Sequence, residues 1–292
     1  MKVILLFLVM TATGVANAKV CDLLPKNDRR IPVGANFVNA GMTQQRFNEL
    51  LDRVEQVYAP VIRARGANLQ VIRDWENPEV NAFADRSGNT WIIHMFGGAA
   101  RAPENTDDGF TLIACHELGH HLGGVPKKFD WASAEGQSDY WATLKCARRV
   151  WARDNNGAVM SGVNVPASVR RNCQESSLNS EDAALCERSA IAGKALGALL
   201  ADGAPPLPDF ETPDRSQVQR TQVSHPAAQC RLDTYYAGAV CDVDVNVEVS
   251  DQDSELGVCG RGKTRGVRPR CWYKPTGGLE EEDDIRVILA AE

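Results

Sequence analysis

The sequence predicts an α+β fold in which a small mixed sheet packs on several helices. Residues 80–84 and 90–95 are largely apolar and are separated by a turn-forming Asp-Arg-Ser-Gly-Asn stretch, a pattern typical of a strand, a turn and a second strand. Residues 43–65 and 181–201 carry apolar or alanine-rich stretches that predict helices. Separate runs of strands and helices are typical of α+β domains.

The first 18 residues have the features of a secretory signal peptide. Lys2 precedes an apolar run at residues 3–10, and residues 16–18 read Ala-Asn-Ala, an Ala-x-Ala cleavage site. The mature chain is therefore predicted to begin at Lys19, in the periplasm or outside the cell. A retained membrane anchor is disfavoured because a span needs about 20 apolar residues. A lipoprotein is disfavoured because Cys21 does not directly follow the cut.

The remaining chain is long enough for one well-buried domain with an appendage. The formal net charge of the full chain is −6, and it becomes −7 when Lys2 is lost with the signal peptide, whereas a nucleic-acid-binding protein would need a basic face. No nucleic-acid partner is therefore predicted, and no later segment approaches the length of a membrane span.

The predicted elements follow one another at short intervals. Thr43 would cap a helix that runs to about Arg65, with Pro60 inside it, and residues 69–73 would form a first strand. The apolar residues of this helix recur at helical spacing: Phe47, Leu50, Leu51, Val54, Val57, Tyr58, Val61 and Ile62. Helices are also predicted at residues 139–150 and 226–239.

A His-Glu-x-x-His motif lies within residues 111–124, which read as a helix ended by two glycines. His116 and His120 are one helical turn apart, so they project from one face and can share one zinc ion. Glu117 would then stand beside a metal-bound water molecule. The alternative is a pair of unrelated histidines on a core helix.

Residues 133–142 also read as a helix, and two acidic residues on it supply the rest of a metal site. A turn at residues 126–130 would let this helix pack against the first and bring Glu135 to the metal as a third ligand. Asp139 lies one turn further on and would accept the ring N–H of a zinc-bound histidine. The alternative for both residues is a solvated helix face.

The order of these motifs resembles the HtpX/BepA-like gluzincin metallopeptidases, the family that includes the CAAX prenyl proteases. The resemblance spans about residues 43–235. It comprises Asn-Ala-Phe-Ala at residues 81–84, a glycine-containing turn, a second strand, the two metal motifs, and a His-Pro-x-x-x-x-Arg pattern at residues 225–231. The chain lacks the membrane spans of the HtpX branch and a tetratricopeptide array like that of BepA. It would therefore belong to a soluble, exported branch, and the substrates of the known family members cannot be assigned to it.

The resemblance implies a zincin-like metallopeptidase domain at residues 19–240, with a short disulfide-rich extension at residues 241–292. It also implies a set of roles. These are His116, His120 and Glu135 as Zn²⁺ ligands, Glu117 as general base, Asp139 as support for a histidine, and His225 and Arg231 as catalytic residues of the cleft. The substrate would be a polypeptide that binds as an extended strand at the sheet edge. From the residues alone, Arg231 can equally form a structural ion pair, and His225-Pro226 can equally start a helix.

The nine cysteines fit an oxidising compartment. Because the number is odd, at least one thiol is free or intermolecular. Cys115 is the candidate, since it points about 100° around the helix from the ligand face and would be a small buried core residue. Four cysteines near the C-terminus would form two bridges of open connectivity: Cys230, Cys241, Cys259 and Cys271. Residues 243–249 alternate valine with polar residues, which predicts a strand.

The sequence therefore predicts an exported zinc endopeptidase. Three protein ligands leave a fourth position for water, which is typical of a catalytic zinc site. Glu117 would take the proton of that water and pass it to the leaving amine. Two alternatives stay open at this point. One is a zinc-stabilised binding or chaperone-like module whose fourth position is plugged, for instance by His225. The other is a zymogen that needs processing.

Overall fold

The structure is a computed structural model that describes residues 19–35, 41–260 and 262–275. It is a mixed α+β fold with a four-stranded sheet and several helices, as the sequence predicts. The predicted signal peptide lies outside the described residues. The strands are β1 (Cys21–Asp22), β2 (Asn68–Asp74), β3 (Ala82–Ser87) and β4 (Thr90–Phe96). The helices are α1 (Gln44–Ala64), α2 (Gly97–Arg101), α3 (Asp107–Leu122), α4 (Glu135–Trp141), a π-helical turn (Ala142–Ala147), α5 (Arg148–Val150), α6 (Asn156–Val159), α7 (Ala167–Ser176), α8 (Ser180–Leu200) and α9 (Ala228–Ala239).

The sheet has the strand order β1-β3-β4-β2. β3 and β4 correspond to the two predicted strands, and the structure pairs them antiparallel across a tight turn, with Ser87 opposite Thr90. β2 is the predicted first strand and pairs with β4 in parallel. β1 is a two-residue strand that pairs antiparallel with β3, placing Cys21 opposite Ala84. The outer edge of β3 therefore carries the start of the described chain.

The predicted helix α1 covers one side of the core. Thr43 caps it, because its Oγ1 accepts a hydrogen bond of 3.1 Å from the backbone N–H of Arg46. The helix ends before Gly66, whose φ of +78° suits glycine. Its buried face has the apolar spacing read from the sequence and comprises Phe47, Leu50, Leu51, Val54, Tyr58 and Ile62.

Helix α3 carries the His-Glu-x-x-His motif through the centre of the molecule, and every residue from Gly109 to Leu122 is buried. Thr106 caps its first turn through a 3.0 Å hydrogen bond from the N–H of Gly109. Gly119 lets α4 approach closely, because a Cβ there would lie 2.9 Å from the Cα of Ser138. The glycine inside the motif is thus required for the packing of the two helices that carry the motif residues.

Four disulfides link the helices and the C-terminal part of the chain. Cys230–Cys271 and Cys241–Cys259 confirm the two predicted C-terminal bridges, and Cys173–Cys186 joins α7 to α8. The prediction of a free Cys115 is wrong, since it is bonded to Cys146 in the π-helical turn. Because Cys115 faces away from the ligand side of α3, its side chain points at this neighbouring π-helical turn. Among the described residues the free cysteine is Cys21, which is buried.

The bridges are consistent with an exported protein, since disulfides persist in oxidising compartments. Within the part of the chain that the structure describes, no helix combines the length and apolarity that a membrane span requires.

The Cys115–Cys146 bridge should contribute strongly to stability. It closes a loop with a sequence separation of 31 residues directly beside the motif. Replacing both cysteines with alanine is expected to lower the free energy of unfolding by about 3–4 kcal/mol, because the unfolded chain regains loop entropy. Urea denaturation followed by circular dichroism measures this change. An unchanged denaturation midpoint would contradict the expectation.

The prediction of a strand at residues 243–249 is wrong, because this segment forms turns. Its backbone carbonyls bind side chains rather than a neighbouring strand. Arg148 donates to the carbonyl of Val243 at 2.8 Å and Arg149 to that of Val245 at 2.7 Å. The alternating valines therefore have a pattern typical of a strand, but these side-chain donors take the place of a pairing partner.

Candidate metal centre

The structure brings the predicted ligand residues together at the crossing of α3 and α4. Nε2 of His116 lies 3.3 Å from Oε2 of Glu135, and Nε2 of His120 lies 3.6 Å from the same oxygen. All three side chains have no exposed surface. Glu135 is the first residue of α4, so its position depends on the loop that joins the two helices.

That loop is tied to α3 at several points. The N–H of Ser133 donates to the carbonyl of His120 at 2.9 Å. The hydroxyl of Ser133 donates to the carbonyl of Gly124, and the side chain of Gln137 donates to that of Gly123, both at 2.7 Å. These hydrogen bonds fix the start of α4 against the end of α3, which aims Glu135 at the two imidazoles.

The converging atoms fit a metal ion on chemical grounds. Nε2 of His116, Nε2 of His120 and Oε2 of Glu135 are buried and make no hydrogen bond with any described residue. Leaving such groups unsatisfied costs about 1–3 kcal/mol each, so three of them at one point indicate a ligand. In a tetrahedral site with metal–ligand bonds of 2.0–2.2 Å, neighbouring donor atoms lie about 3.4 Å apart. The two distances to Glu135 agree with this separation.

The opposite ring nitrogens of both histidines are held by the protein. Nδ1 of His116 lies 2.7 Å from Oδ1 of Asp139, and Nδ1 of His120 donates to the carbonyl of Ser133 at 2.9 Å. Each acceptor places the ring proton on Nδ1 and leaves Nε2 as a lone-pair donor. This arrangement is typical of histidines that bind metals.

Asp139 is the centre of a buried polar cluster behind His116. Nε and a terminal nitrogen of Arg231 each donate to its carboxylate at 2.7 Å, and the hydroxyl of Tyr235 donates to it as well. Burial alone would raise the pKa of Asp139, but the charges of Arg231 and His116 lower this pKa to about 2. Asp139 is therefore an anion at neutral pH, as an acceptor for the His116 ring requires.

These contacts place Arg231 behind a ligand. Its guanidinium binds Asp139 and, at 2.7 Å, the carbonyl of Leu23. The role of Arg231 in a substrate cleft stays a prediction. Tyr235 was not singled out from the sequence, although it lies one helical turn beyond Arg231 on α9 and faces the same way.

Glu117 lies beside the converging donors with its carboxylate unused. One of its oxygens is within 4.8 Å of ring nitrogens of His116 and His120, and both oxygens lack a hydrogen bond to the described part of the chain. Burial raises the pKa of Glu117 well above its ordinary value, while His116 opposes this shift. A buried carboxylate with an increased proton affinity is suited to accept a proton.

Three further residues contact the site from the outside. Lys128, which the sequence analysis missed, donates to Oε1 of Glu135 at 2.7 Å, so Oε2 is the oxygen that could bind a metal. Nε2 of His225 lies 3.5 Å from Oε2 of Glu135 but donates at 2.7 Å to the carbonyl of Asp22. Cys21 was also missed as a site residue. Its sulfur, a donor of His120 and a donor of Glu135 lie within 4.8 Å of one another.

Comparisons of the chain with models of protein families, with curated proteins and with solved structures found no match. The assignment of a function therefore depends on the geometry and chemistry of this site.

Proposed function

We propose that the protein is an exported zinc-dependent endopeptidase of the gluzincin type, with a zincin-like arrangement of its metal helices. The observation that carries this proposal is the set of buried, unpartnered donor atoms. His116, His120 and Glu135 each contribute one such atom at one point, and both oxygens of Glu117 stand beside them.

Zinc is the metal that this donor set favours. Two imidazoles and one carboxylate are the ligands of a common class of catalytic zinc sites. A purely structural site has no use for an additional unpartnered carboxylate, so Glu117 supports a catalytic role.

When bound, zinc supplies a Lewis acid that polarises the scissile carbonyl and makes water acidic near neutral pH. Glu117 accepts the proton of the attacking water and delivers it to the leaving amine nitrogen as the C–N bond breaks. Asp139 holds the ring of His116 by accepting its Nδ1–H, and Arg231 keeps Asp139 charged. The protein thus contributes the ligand geometry, the base and the support for the ligands.

The substrate would be a polypeptide in extended conformation. α3 packs against β3, whose outer edge carries only the two residues of β1 among the described strands. An extended peptide can add to such an edge through backbone hydrogen bonds. Unfolded polypeptides present the extended backbone that this mode of binding needs.

A second candidate is a zinc-stabilised binding module without catalysis. It is favoured by the position of Cys21, whose sulfur lies within 4.8 Å of a donor of His120 and a donor of Glu135 and would add a further protein ligand there. The complete burial of the ligand side chains also agrees with such a module. The unpartnered carboxylate of Glu117 favours the peptidase.

Removal of the metal tests the proposal directly. Zinc-loaded protein is expected to cleave casein, a largely unstructured polypeptide, and a chelator should abolish this cleavage because the three ligands alone cannot polarise the peptide bond. Added zinc should restore it. Mass spectrometry of the products, with metal content measured in parallel, gives the result. Equal cleavage in chelated and zinc-loaded samples would overturn the assignment.

A further inference from the structure

We propose that residues 19–24, termed here the N-terminal segment, inhibit the site from within the same chain. In this proposal Cys21 binds the metal through its thiolate as a fourth protein ligand. The backbone of the segment meanwhile occupies the edge of β3 that a polypeptide substrate needs. The inhibitory part rests on the proposed peptidase function, whereas the ligand part does not.

Cys21 has the position and chemistry of a metal ligand. It is fully buried and, unlike the other eight cysteines, it forms no disulfide in the described chain. Its sulfur lies within 4.8 Å of a donor of His120 and a donor of Glu135. Thiolate sulfur is a preferred ligand of zinc, and the unpartnered atoms of both residues point to a ligand at this place. On binding, a sulfur–metal bond forms and the thiol proton goes to solvent.

The backbone of the segment is held as a bound strand would be. Cys21 and Asp22 pair antiparallel with β3, and the N–H of Leu23 donates to the carbonyl of Ala82 at 2.9 Å. The N–H of Leu24 donates to the side chain of Asn81 at 3.0 Å.

The two predicted cleft residues also bind this backbone. His225 donates to the carbonyl of Asp22 and Arg231 to the carbonyl of Leu23, both at 2.7 Å. Groups available to position a substrate backbone are thus engaged by the chain itself. A peptide on the same edge of β3 would compete with the segment for these donors.

The segment also closes the approach to the base. Cys21 packs against Ala84 and Ala132, and Glu117, which has no exposed surface, is close enough to Cys21 and Asp22 to interact with them electrostatically. A peptide cannot reach Glu117 until the segment has moved. The segment is held by its hydrogen bonds and by the buried side chain of Leu23. A bond between Cys21 and the metal would add to this attachment, so its loss favours the open state.

The first experiment tests the ligand without measuring activity. The full chain is loaded with Co²⁺, whose thiolate complexes show a sulfur-to-metal charge-transfer band in the near ultraviolet. The wild type should show this band, the Cys21→Ser variant should lack it, and the Lys26→Ser variant should retain it because Lys26 is exposed. Unchanged metal stoichiometry in Cys21→Ser would show that the variant folds. A wild type without the band overturns the ligand assignment, whether or not the protein cleaves peptides.

The second experiment measures casein cleavage by the same zinc-loaded proteins. Cys21→Ser should cleave at least about tenfold faster than the wild type and Lys26→Ser, because loss of the sulfur bond increases the population of the open state. Equal rates in all three proteins would overturn the inhibition and leave the peptidase proposal standing. If the band is present and none of the proteins cleaves, both the inhibition and the peptidase proposal fail, and the binding module is favoured.

Discussion

Replacing Glu117 with glutamine is expected to lower peptide hydrolysis by about 10²–10⁴-fold, the usual contribution of a general base. Glutamine has nearly the same shape but cannot accept the proton of the attacking water. Both carboxylate oxygens of Glu117 lack partners in the described structure, so the exchange breaks no hydrogen bond there. Folding and zinc content should therefore stay close to those of the parent protein.

The measurement is best made in two backgrounds, because the N-terminal segment is proposed to limit access. Glu117→Gln is compared with its parent both in the wild-type chain and in Cys21→Ser, with zinc content determined for every sample. Glu76→Gln is the matched control, since Glu76 is exposed. Retained turnover in a zinc-loaded Glu117→Gln protein would show that the base lies elsewhere.

The ligands on α3 could be predicted because their geometry is local. Residues four apart on one helix share a face whatever the rest of the chain does, so His116 and His120 follow from spacing alone. Glu135 required a second helix to cross the first, and Gly119 is the local feature that permits this approach. The candidate metal-binding residues could thus be predicted from a stretch of about 25 residues.

The residues that the sequence analysis missed reach the site from distant parts of the chain. Cys21 arrives through a strand of two residues, which is too short for any periodic pattern to mark. Lys128 lies in the loop before α4, where nothing in the sequence distinguishes it from an exposed lysine. Contacts of this kind depend on the assembled fold.

The two wrong predictions have the same physical origin. The position of Cys115 on its helix showed that it turns away from the ligands, but not that Cys146 would face it. The alternation at residues 243–249 was read correctly as a pattern, yet a strand also needs a pairing partner. Side chains of the π-helical turn and α5, such as Arg148, bind those carbonyls instead. In both cases the deciding group lies in an element distant in sequence.

Replacing Asp139 with asparagine is expected to affect both stability and metal binding. The exchange removes the anion that accepts hydrogen bonds from His116, Arg231 and Tyr235, all in a fully buried position. The charge of Arg231 is then left without a counterion, and breaking a buried pair in this way costs about 3–5 kcal/mol of the free energy of unfolding. Zinc affinity should also fall about 10–100-fold, the usual loss when the support of a ligand histidine is removed.

The two effects are separated by the conditions of measurement. Urea unfolding in the presence of chelator compares the metal-free proteins and reports the loss of the buried ion pair. Competition with a zinc indicator reports the affinity. Asp28→Asn is the matched control on an exposed aspartate.

A double variant decides whether the cost comes from the unpaired charge. Asp139→Asn combined with Arg231→Met removes both charges, so its loss of stability should be smaller than the sum of the two single losses. Additive losses would mean that Asp139 and Arg231 stabilise the protein independently. The hydrogen bonds between Asp139 and Arg231 would then not indicate an energetic coupling between these two residues behind His116.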